Sequence, residues 1–251
     1  MRHRTFALMT SLVLAAGPGL AAPLGSVAPI PSYQDAVEEF QAKRSHAGGS
    51  TLSHEDRALM EKSAAELAAR MPEPGLPVGA FAPDFSLPNA FGRPVRLSDL
   101  TATGPVVLTF YRGAWCPYCN LQLRGLQQIL PYIENAGAKL VAITPQKPDK
   151  SREQVEADGY PFEILSDLDD RVMKAYNLHY QVAARLAALY QSKLELDLTE
   201  YNGEGRTVLP VPATFVIDRH GVIRAAFTDT DYRKRPEPAA ILGALLAMDR
   251  P

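Results

Sequence analysis

Residues 106–119 read V-V-L-T-F-Y-R-G-A-W-C-P-Y-C: an apolar run, a short loop, and two cysteines separated by two residues. Cys116 and Cys119 are the only cysteines of the 251-residue chain. The apolar run predicts a strand that is buried on both faces, and Pro117 suits the first position of a helix because it has no backbone N–H to leave unpaired. The sequence therefore places both thiols where a strand passes into a helix.

This position favours thiolate chemistry. Free cysteine has a pKa of about 8.5, and in C-x-x-C sites at helix starts the pKa falls to roughly 3.5 to 7.5, because the N–H groups of the first turn stabilise negative charge. We expect Cys116, exposed at the N-cap, to be the attacking sulfur and Cys119, one turn deeper, to close a disulfide onto it. Arg112 is predicted to favour the thiolate and Trp115 to flank a substrate groove. Solvent exposure of Arg112 and simple packing of Trp115 are the structural alternatives.

The cysteine pair has two other structural interpretations, a static disulfide and half of a zinc site. A bridge between residues three apart closes a short loop and adds little stability. Zinc needs four ligands, and the chain has no second C-x-x-C. No paired ligand spacing occurs among the five histidines, at positions 3, 46, 54, 179 and 220. We therefore predict a redox pair, with no metal and no bound organic cofactor.

Composition restricts the classes of function. The chain has 46% hydrophobic residues, 22% charged residues and a formal net charge of −2, which is typical of one globular domain with extensions. No basic stripe is present, so nucleic acid is not an expected partner.

The amino terminus has the pattern of an export signal. Residues 2–4 are positively charged, residues 6–16 are apolar, and G-L-A at 19–21 matches a small-residue cleavage site. The apolar run is too short to span a bilayer, so the mature form is expected to have no membrane span. We predict a signal peptide at 1–21, with a retained amphipathic or disordered start as the alternative. An exported protein would work in the bacterial periplasm or outside the cell, where another molecule must recharge a C-x-x-C pair.

Two regions follow the signal. Residues 22–77 are predicted to be a linker and a helical extension, with Ser32 and Ser53 capping two helices. Residues 78–251 are predicted to form the main domain, which begins with a short hairpin that turns at 91–92. Strands are then predicted at 105–111, 139–144, 162–166, 211–218 and 222–228, and helices at 117–135, 149–158, 169–176, 179–193 and 237–248.

The order of these elements predicts an α/β domain. The strand–helix–strand crossover over 105–144 implies parallel pairing. The last two strands, joined by a turn at 219–221, are expected to form an antiparallel hairpin. Residues 194–209, with a turn at 203–205, are consistent with another hairpin.

Three ordered motifs resemble one known family. They are A-P-D-F-S-L-P-N at 82–89, F-Y-R-G-A-W-C-P-Y-C at 110–119 and P-A-T-F-V-I-D-R-H-G-V-I-R at 212–224. The chain, over roughly residues 78–248, resembles the peroxiredoxin-like branch of the alkyl hydroperoxide reductase and thiol-specific antioxidant family. The resemblance implies a thioredoxin fold: a central mixed β-sheet flanked by helices, with the first cysteine at a strand-to-helix junction.

The sequence departs from the peroxiredoxin pattern around the cysteine. Typical peroxiredoxins have a threonine three residues before the reactive cysteine and a proline seven residues before it, where this chain has Gly113 and Thr109. They also bring an arginine from the start of the late strand, where this chain has Pro212.

W-C-P-Y-C instead resembles thioredoxin-like and glutaredoxin-like proteins. In them a cis-proline faces the disulfide and holds sulfur-containing substrates, and the resemblance implies this role for Pro212. Thioredoxin also has a buried aspartate six residues before its first cysteine, where this chain has Phe110. Proton transfer would then need another group or water.

Three functions are therefore open. The first is an exported thiol peroxidase, in which Cys116 attacks a peroxide, Cys119 condenses with the sulfenic acid, and a thioredoxin-like dithiol reduces the disulfide. The second is a thiol–disulfide oxidoreductase acting on protein or small disulfides, with Pro212 and Trp115 shaping the groove. The third is a thioredoxin-fold binding or assembly module in which the cysteine pair is structural.

Overall fold

The apolar run that follows Gly104 becomes the central strand of the sheet. The structure, a computed structural model, describes residues 29–46 and 52–248, so the predicted signal peptide lies outside the described residues. The helices are α1 (Tyr33–His46), α2 (His54–Arg70), α3 (Leu97–Thr101), α4 (Pro117–Asn135), α5 (Pro148–Asp158), α6 (Arg171–Ala175), α7 (Ala184–Leu194), α8 (Leu198–Asn202) and α9 (Pro238–Met248). The strands are β1 (Ser86–Pro88), β2 (Pro94–Arg96), β3 (Val106–Phe110), β4 (Lys139–Thr144), β5 (Glu163–Ser166), β6 (His179–Gln181), β7 (Val208–Pro210), β8 (Ala213–Ile217) and β9 (Ile223–Thr228).

A five-stranded mixed sheet with the strand order β5-β4-β3-β8-β9 forms the centre of the domain. Strand β3 is parallel to β4 and antiparallel to β8, while β4 is parallel to β5 and β8 is antiparallel to β9. The predicted parallel crossover and the predicted terminal hairpin are both confirmed. All five residues of β3 are buried, as expected for a central strand with helices on both faces.

Alternate residues of β3 face two different cores. Val107 packs in a cluster with residues of α4 and α9. Leu108 and Phe110 pack on the other face with residues of β1, α2 and α6. This alternation follows from the pleat of a strand, in which successive side chains point to opposite sides.

Helix α4 begins and ends where the sequence predicts. Cys116 is its N-cap and Pro117 its first residue. Gly137, at φ +69°, follows its C-terminus in a left-handed conformation that glycine adopts at low cost. The carboxyl end of β3 and the start of α4 thereby hold the cysteine pair.

The helices of the amino-terminal extension pack against the main domain. The Asp35 N–H donates to Ser32 Oγ, and Ser53 forms a reciprocal capping box with Asp56, so both predicted caps are confirmed. The Glu237 carboxylate, which lies just before α9, accepts the Tyr33 N–H at 2.7 Å and so fixes the start of α1. Helix α1 lies against α4 and α2 against α7, which places the extension over the cysteine end of the domain.

The predicted helix over 179–193 is wrong in its first turn. Residues 179–181 form β6, which pairs antiparallel with β7, and α7 begins only at Ala184. The apolar period of this stretch is helical, but pairing with residues about 30 positions later along the chain overrides it. The hairpin interpretation of 194–209 is likewise replaced by α8 followed by β7. None of the described helices is long and apolar enough to cross a membrane.

Candidate active site

Both cysteines are buried in the reduced state. Their sulfurs are not bonded to each other, and Cys116 is 1% and Cys119 0% exposed. The expectation that Cys116 is exposed is therefore wrong. The reason lies in the extension, because Tyr33 and Val37 of α1 pack in the same apolar cluster as the two cysteines.

The pair shares one proton unequally. Burial on its own would raise the pKa of the Cys119 thiol, but the hydrogen bond from Cys116, the charge of Arg235 and the backbone N–H of Arg112 lower it to about 5. The same hydrogen bond, together with burial, raises the pKa of Cys116 well above its ordinary value. Both directions favour a resting negative charge on Cys119, whereas the sequence predicts it on Cys116. The hydrogen bond between the two sulfurs is the largest cause that lowers the pKa of Cys119, and Arg235, the cation that contacts this sulfur, comes from a distant part of the chain.

A thiolate titration tests this charge distribution. Folding lowers the pKa of Cys119 from its ordinary value to about 5, so the folded state binds fewer protons between these two values. The reduced protein should hold one thiolate at neutral pH and should lose stability as the pH falls from the ordinary cysteine pKa towards 5. Thiolate absorbance in the ultraviolet should rise in one step near pH 5. That step should vanish in Cys119→Ser and move to higher pH in Cys116→Ser, and a wild-type protein without a thiolate at neutral pH would contradict the assignment.

The loop before Cys116 is held by two side-chain amides. Gln146 Oε1 accepts the Ala114 N–H at 3.0 Å, and Asn120 Nδ2 donates to the Ala114 carbonyl at 2.7 Å. Gly113 has φ +149°, and the indole of Trp115 folds back over it. The Cys116 N–H then donates to the Gly113 carbonyl, which closes the turn into α4.

Arg112 is buried in an aromatic cage. It is 3% exposed, which excludes the solvent-exposed alternative. Its guanidinium carbon lies 4.2 Å from the ring centre of Tyr232 and 4.9 Å from that of Trp115, and its Nη2 donates to the Tyr190 hydroxyl at 3.0 Å. Arg112 Nε and Trp115 Nε1 are buried donors that have no hydrogen-bond partner among the described residues.

A cavity of about 380 Å³ opens onto Cys116. Arg112 and Trp115 line it beside the sulfur, while Cys119 is not part of its wall. Most of the remaining wall is aromatic or apolar and comes from α2 and the segment before it, from α4, from α7 and the loop after it, from α8, and from the segment after β9: Leu52, Met60, Tyr118, Tyr190, Leu194, Leu196, Tyr201 and Tyr232. A cavity of this size is within the range of small-molecule binding sites.

Arg235 approaches the pair from the other side. Its Nη2 lies 3.5 Å from Cys119 Sγ, and its Nε donates to Gln122 Oε1 at 2.9 Å. Gln122 Nε2 donates in turn to Thr214 Oγ1 at 3.0 Å, and the hydroxyls of Thr214 and Thr109 lie 3.1 Å apart. This chain of buried polar groups ties the guanidinium to α4, β8 and β3.

Pro212 lies apart from the Cys116 cavity. It lines a separate cavity of about 390 Å³, together with Ala213 and Arg235. No cis peptide bond occurs among the described residues, so the cis bond that the resemblance implies for Pro212 is wrong. The bond adopts the trans form, which X-Pro peptides favour by about 0.5 to 1 kcal/mol. In typical peroxiredoxins an arginine at the position of Pro212 approaches the cysteine. In this chain the guanidiniums near the sulfurs belong to Arg112 and Arg235.

Sequence reasoning missed Arg235, Tyr232 and Tyr190. Arg235 and Tyr232 belong to D-Y-R-K-R-P-E at 231–237, a dense cluster of charge between the last strand and the last helix. This cluster follows the hairpin whose first strand the resemblance places beside the cysteine. Its position is the one signal in the sequence that could have indicated Arg235 and Tyr232. Tyr190 carries no such signal, because in the sequence it belongs only to the apolar face of a helix.

Among the described residues, no group of three or more histidine, cysteine, aspartate or glutamate side chains is arranged to hold a metal ion.

The chain is similar to known proteins in its sequence and in its fold. The family model described as AhpC/TSA family matches residues 78–226. The thiol-disulfide oxidoreductase ResA of Geobacillus kaustophilus is 30% identical over 154 residues, which cover 61% of this chain and 70% of ResA. A putative peroxiredoxin of Mycobacterium tuberculosis strain H37Rv is 32% identical over 149 residues, which cover 59% of this chain and 82% of that protein. The crystal structure of peroxidoxin BcpB from Mycobacterium tuberculosis superposes with a TM-score of 0.55 at 23% identity, covering 69% of this chain and 98% of that one.

Proposed function

Because the chain belongs to the AhpC/TSA family, we propose that it is a thiol-dependent peroxidase that reduces hydrogen peroxide or organic hydroperoxides through Cys116 and Cys119. The predicted thioredoxin fold is confirmed by the family match and by the structural likeness to a peroxidoxin. One observation carries the proposal. Cys116 lines a cavity of about 380 Å³ beside the side chains of Arg112 and Trp115. A guanidinium and an indole are hydrogen-bond donors, and a peroxide oxygen is an acceptor.

The chemistry proceeds in two steps. The proton of Cys116 passes to Cys119, the Cys116 thiolate attacks one peroxide oxygen, an S–O bond forms and the O–O bond breaks. The departing alkoxide or hydroxide takes the proton from Cys119, which is then a thiolate again. Cys119 then attacks the sulfenic acid on Cys116, an S–S bond forms and hydroxide leaves. Cys116 performs the first step because it lines the cavity and Cys119 does not. Arg112 and Trp115 orient the peroxide in this scheme.

An external dithiol completes the cycle. A thioredoxin-like protein reduces the disulfide by thiol–disulfide exchange and returns two electrons and one proton to the pair, while its second proton goes to solvent. Export is part of the proposal and rests on the sequence of residues 1–21 alone. An exported enzyme would draw its electrons from a reductant outside the cytoplasm.

Parallel assays test the proposal. Peroxide consumption with a thioredoxin system is followed for wild type and for Cys116→Ser, and reduction of a protein disulfide is followed for the same two proteins. We expect wild type to consume peroxide well above the Cys116→Ser baseline. Wild-type consumption no faster than that baseline would overturn the proposal.

A second candidate is a thiol–disulfide oxidoreductase. The relative ResA is named as a thiol-disulfide oxidoreductase, and this favours the second candidate. The W-C-P-Y-C sequence of this chain favours it as well. Disulfide exchange without peroxide consumption would establish this candidate. Inertness in both assays would favour a binding module with a structural cysteine pair.

A further inference from the structure

The positive charges around the cysteine pair have no carboxylate to neutralise them. Arg235 uses Nε, Nη1 and Nη2 on the Gln122 amide, the Lys234 carbonyl and the Cys119 sulfur. Arg112 is surrounded by aromatic rings and donates to a tyrosine hydroxyl. Among the described residues, neither guanidinium forms an ion pair with an acidic side chain. Arg235 is half-buried and its Nη2 contacts sulfur, so a thiolate at that sulfur would give the guanidinium a counter-charge.

The geometry assigns that counter-charge to one sulfur. The guanidinium of Arg235 contacts Cys119 at 3.5 Å, and neither residue is part of the wall of the Cys116 cavity. Its direction is fixed by Gln122, which is 4% exposed and is itself held by Thr214. Arg235 is therefore built into the framework beside the second cysteine.

We propose that Arg235 is a catalytic residue of the second chemical step: it keeps Cys119 as a thiolate, so that the sulfenic acid on Cys116 is captured before another peroxide oxidises it. This inference rests on the proposed peroxidase function. In the step, Cys119 thiolate attacks the Cys116 sulfur, the S–S bond forms, the S–O bond breaks, and hydroxide leaves. No proton has to be removed from Cys119 first. Gln122 is a positioning residue, since it touches the guanidinium and not the sulfur.

The alternative fate of the sulfenic acid makes this role measurable. A second peroxide converts a sulfenic acid into a sulfinic acid, which a dithiol does not reverse. A protonated Cys119 is a weak nucleophile, so loss of Arg235 should slow condensation and give the second peroxide time to react. The balance between disulfide and sulfinic acid therefore reports the second step separately from the first.

The reduction potential should respond as well. Arg235 stabilises the reduced pair through the thiolate, and this interaction is lost when the disulfide forms. A thiolate stabilised in the reduced form makes a disulfide more oxidising. Removing Arg235 should therefore shift the potential of the pair to a more negative value.

The experiment compares Arg235→Gln, Arg235→Lys and the matched control Arg233→Gln. Arg233 lies in the same segment, but its guanidinium binds Asp231 at 2.8 and 3.0 Å. Each reduced protein is titrated with hydrogen peroxide, and disulfide and sulfinic acid are counted by intact mass. The rate of the first step is measured in a Cys119→Ser background with and without Arg235→Gln. Glutathione redox buffers give the potential of each protein.

We expect the sulfinic fraction of Arg235→Gln to rise at least tenfold over wild type at the same peroxide concentration. Arg235→Lys keeps the charge, so its sulfinic fraction should lie between those of wild type and Arg235→Gln. The sulfinic fraction of Arg233→Gln should equal that of wild type. Gln122→Met should move the balance in the same direction as Arg235→Gln by a smaller factor. The first step should slow by a smaller factor than the second, because the guanidinium contacts Cys119 and acts on Cys116 only through its charge.

Two results would overturn the assignment: a wild-type sulfinic fraction in Arg235→Gln, or a first step slowed as much as the second. If wild type does not react with peroxide at all, the proposed function fails. The potential still decides the role of Arg235 in that case, because an unchanged potential in Arg235→Gln would show that the guanidinium does not stabilise a thiolate.

Discussion

Replacing Cys116 by serine is expected to lower steady-state peroxide turnover by about a thousandfold or more, because a serine hydroxyl without an adjacent base is a very weak nucleophile. Cys116 is the sulfur that lines the cavity, and Cys119 is 0% exposed and cannot substitute for it there. The residual rate should equal that of peroxide with free thiols in solution. The measurement is peroxide consumption at steady state with an excess of dithiol.

Cys119→Ser is the informative counterpart of this variant. It keeps the attacking sulfur, so each reduced chain should consume a single added equivalent of peroxide and form a sulfenic acid that a sulfenic-acid probe traps. Cys116→Ser should consume none and should trap nothing. Equal single-turnover consumption by the two variants would contradict the division of roles between the cysteines.

Gly113→Ala is expected to destabilise the protein by about 3 kcal/mol and to displace Trp115 from the cavity wall. A Cβ at position 113 would lie 2.4 Å from Trp115 Nε1, and the backbone there has φ +149°, which side chains rarely adopt. Backbone strain of this kind costs of order 1 to 3 kcal/mol, and moving the indole also loses its contact with the Arg112 guanidinium. Urea unfolding gives the stability.

Trp115 reports its own displacement, since it is the only tryptophan of the chain. Its fluorescence spectrum should shift in folded Gly113→Ala. Gly92→Ala is the matched control: φ is +78° and nothing lies within 4 Å of the added Cβ, so only the backbone cost of about 1 kcal/mol is expected. Equal losses of stability in the two variants would show that the indole does not occupy the space above residue 113.

The Gly113 geometry also explains one departure from the peroxiredoxin pattern. A threonine at this position would overlap the indole even more than alanine does. Gly113 therefore leaves room for the indole of Trp115. The indole N–H, which has no hydrogen-bond partner among the described residues, occupies the space that the Cβ of a threonine at position 113 would need. The chain has no arginine at the position of Pro212. Arg112 and Arg235, from other parts of the chain, provide the positive charge near the sulfurs instead.

Much of the fold is predictable from local patterns. The bounds of α4 and β4 are those that the sequence indicates, because helix period, Pro117 and the glycine after the helix all act within a few residues of the elements they define. The error at 179–181 has the opposite origin. Those residues pair with β7, and no local pattern records a partner that is brought close only by folding.

The sequence by itself determined that two thiols lie at a strand-to-helix junction of an α/β domain, since each part of that statement depends on neighbours along the chain. Only the tertiary structure decided which sulfur holds the charge and whether either is exposed. Arg235 reaches Cys119 across 116 positions, and Glu237 fixes α1 beside the pair across 204. Burial and electrostatic stabilisation depend on distance in space, so the reactivity of the pair is decided by residues that its own motif does not contain.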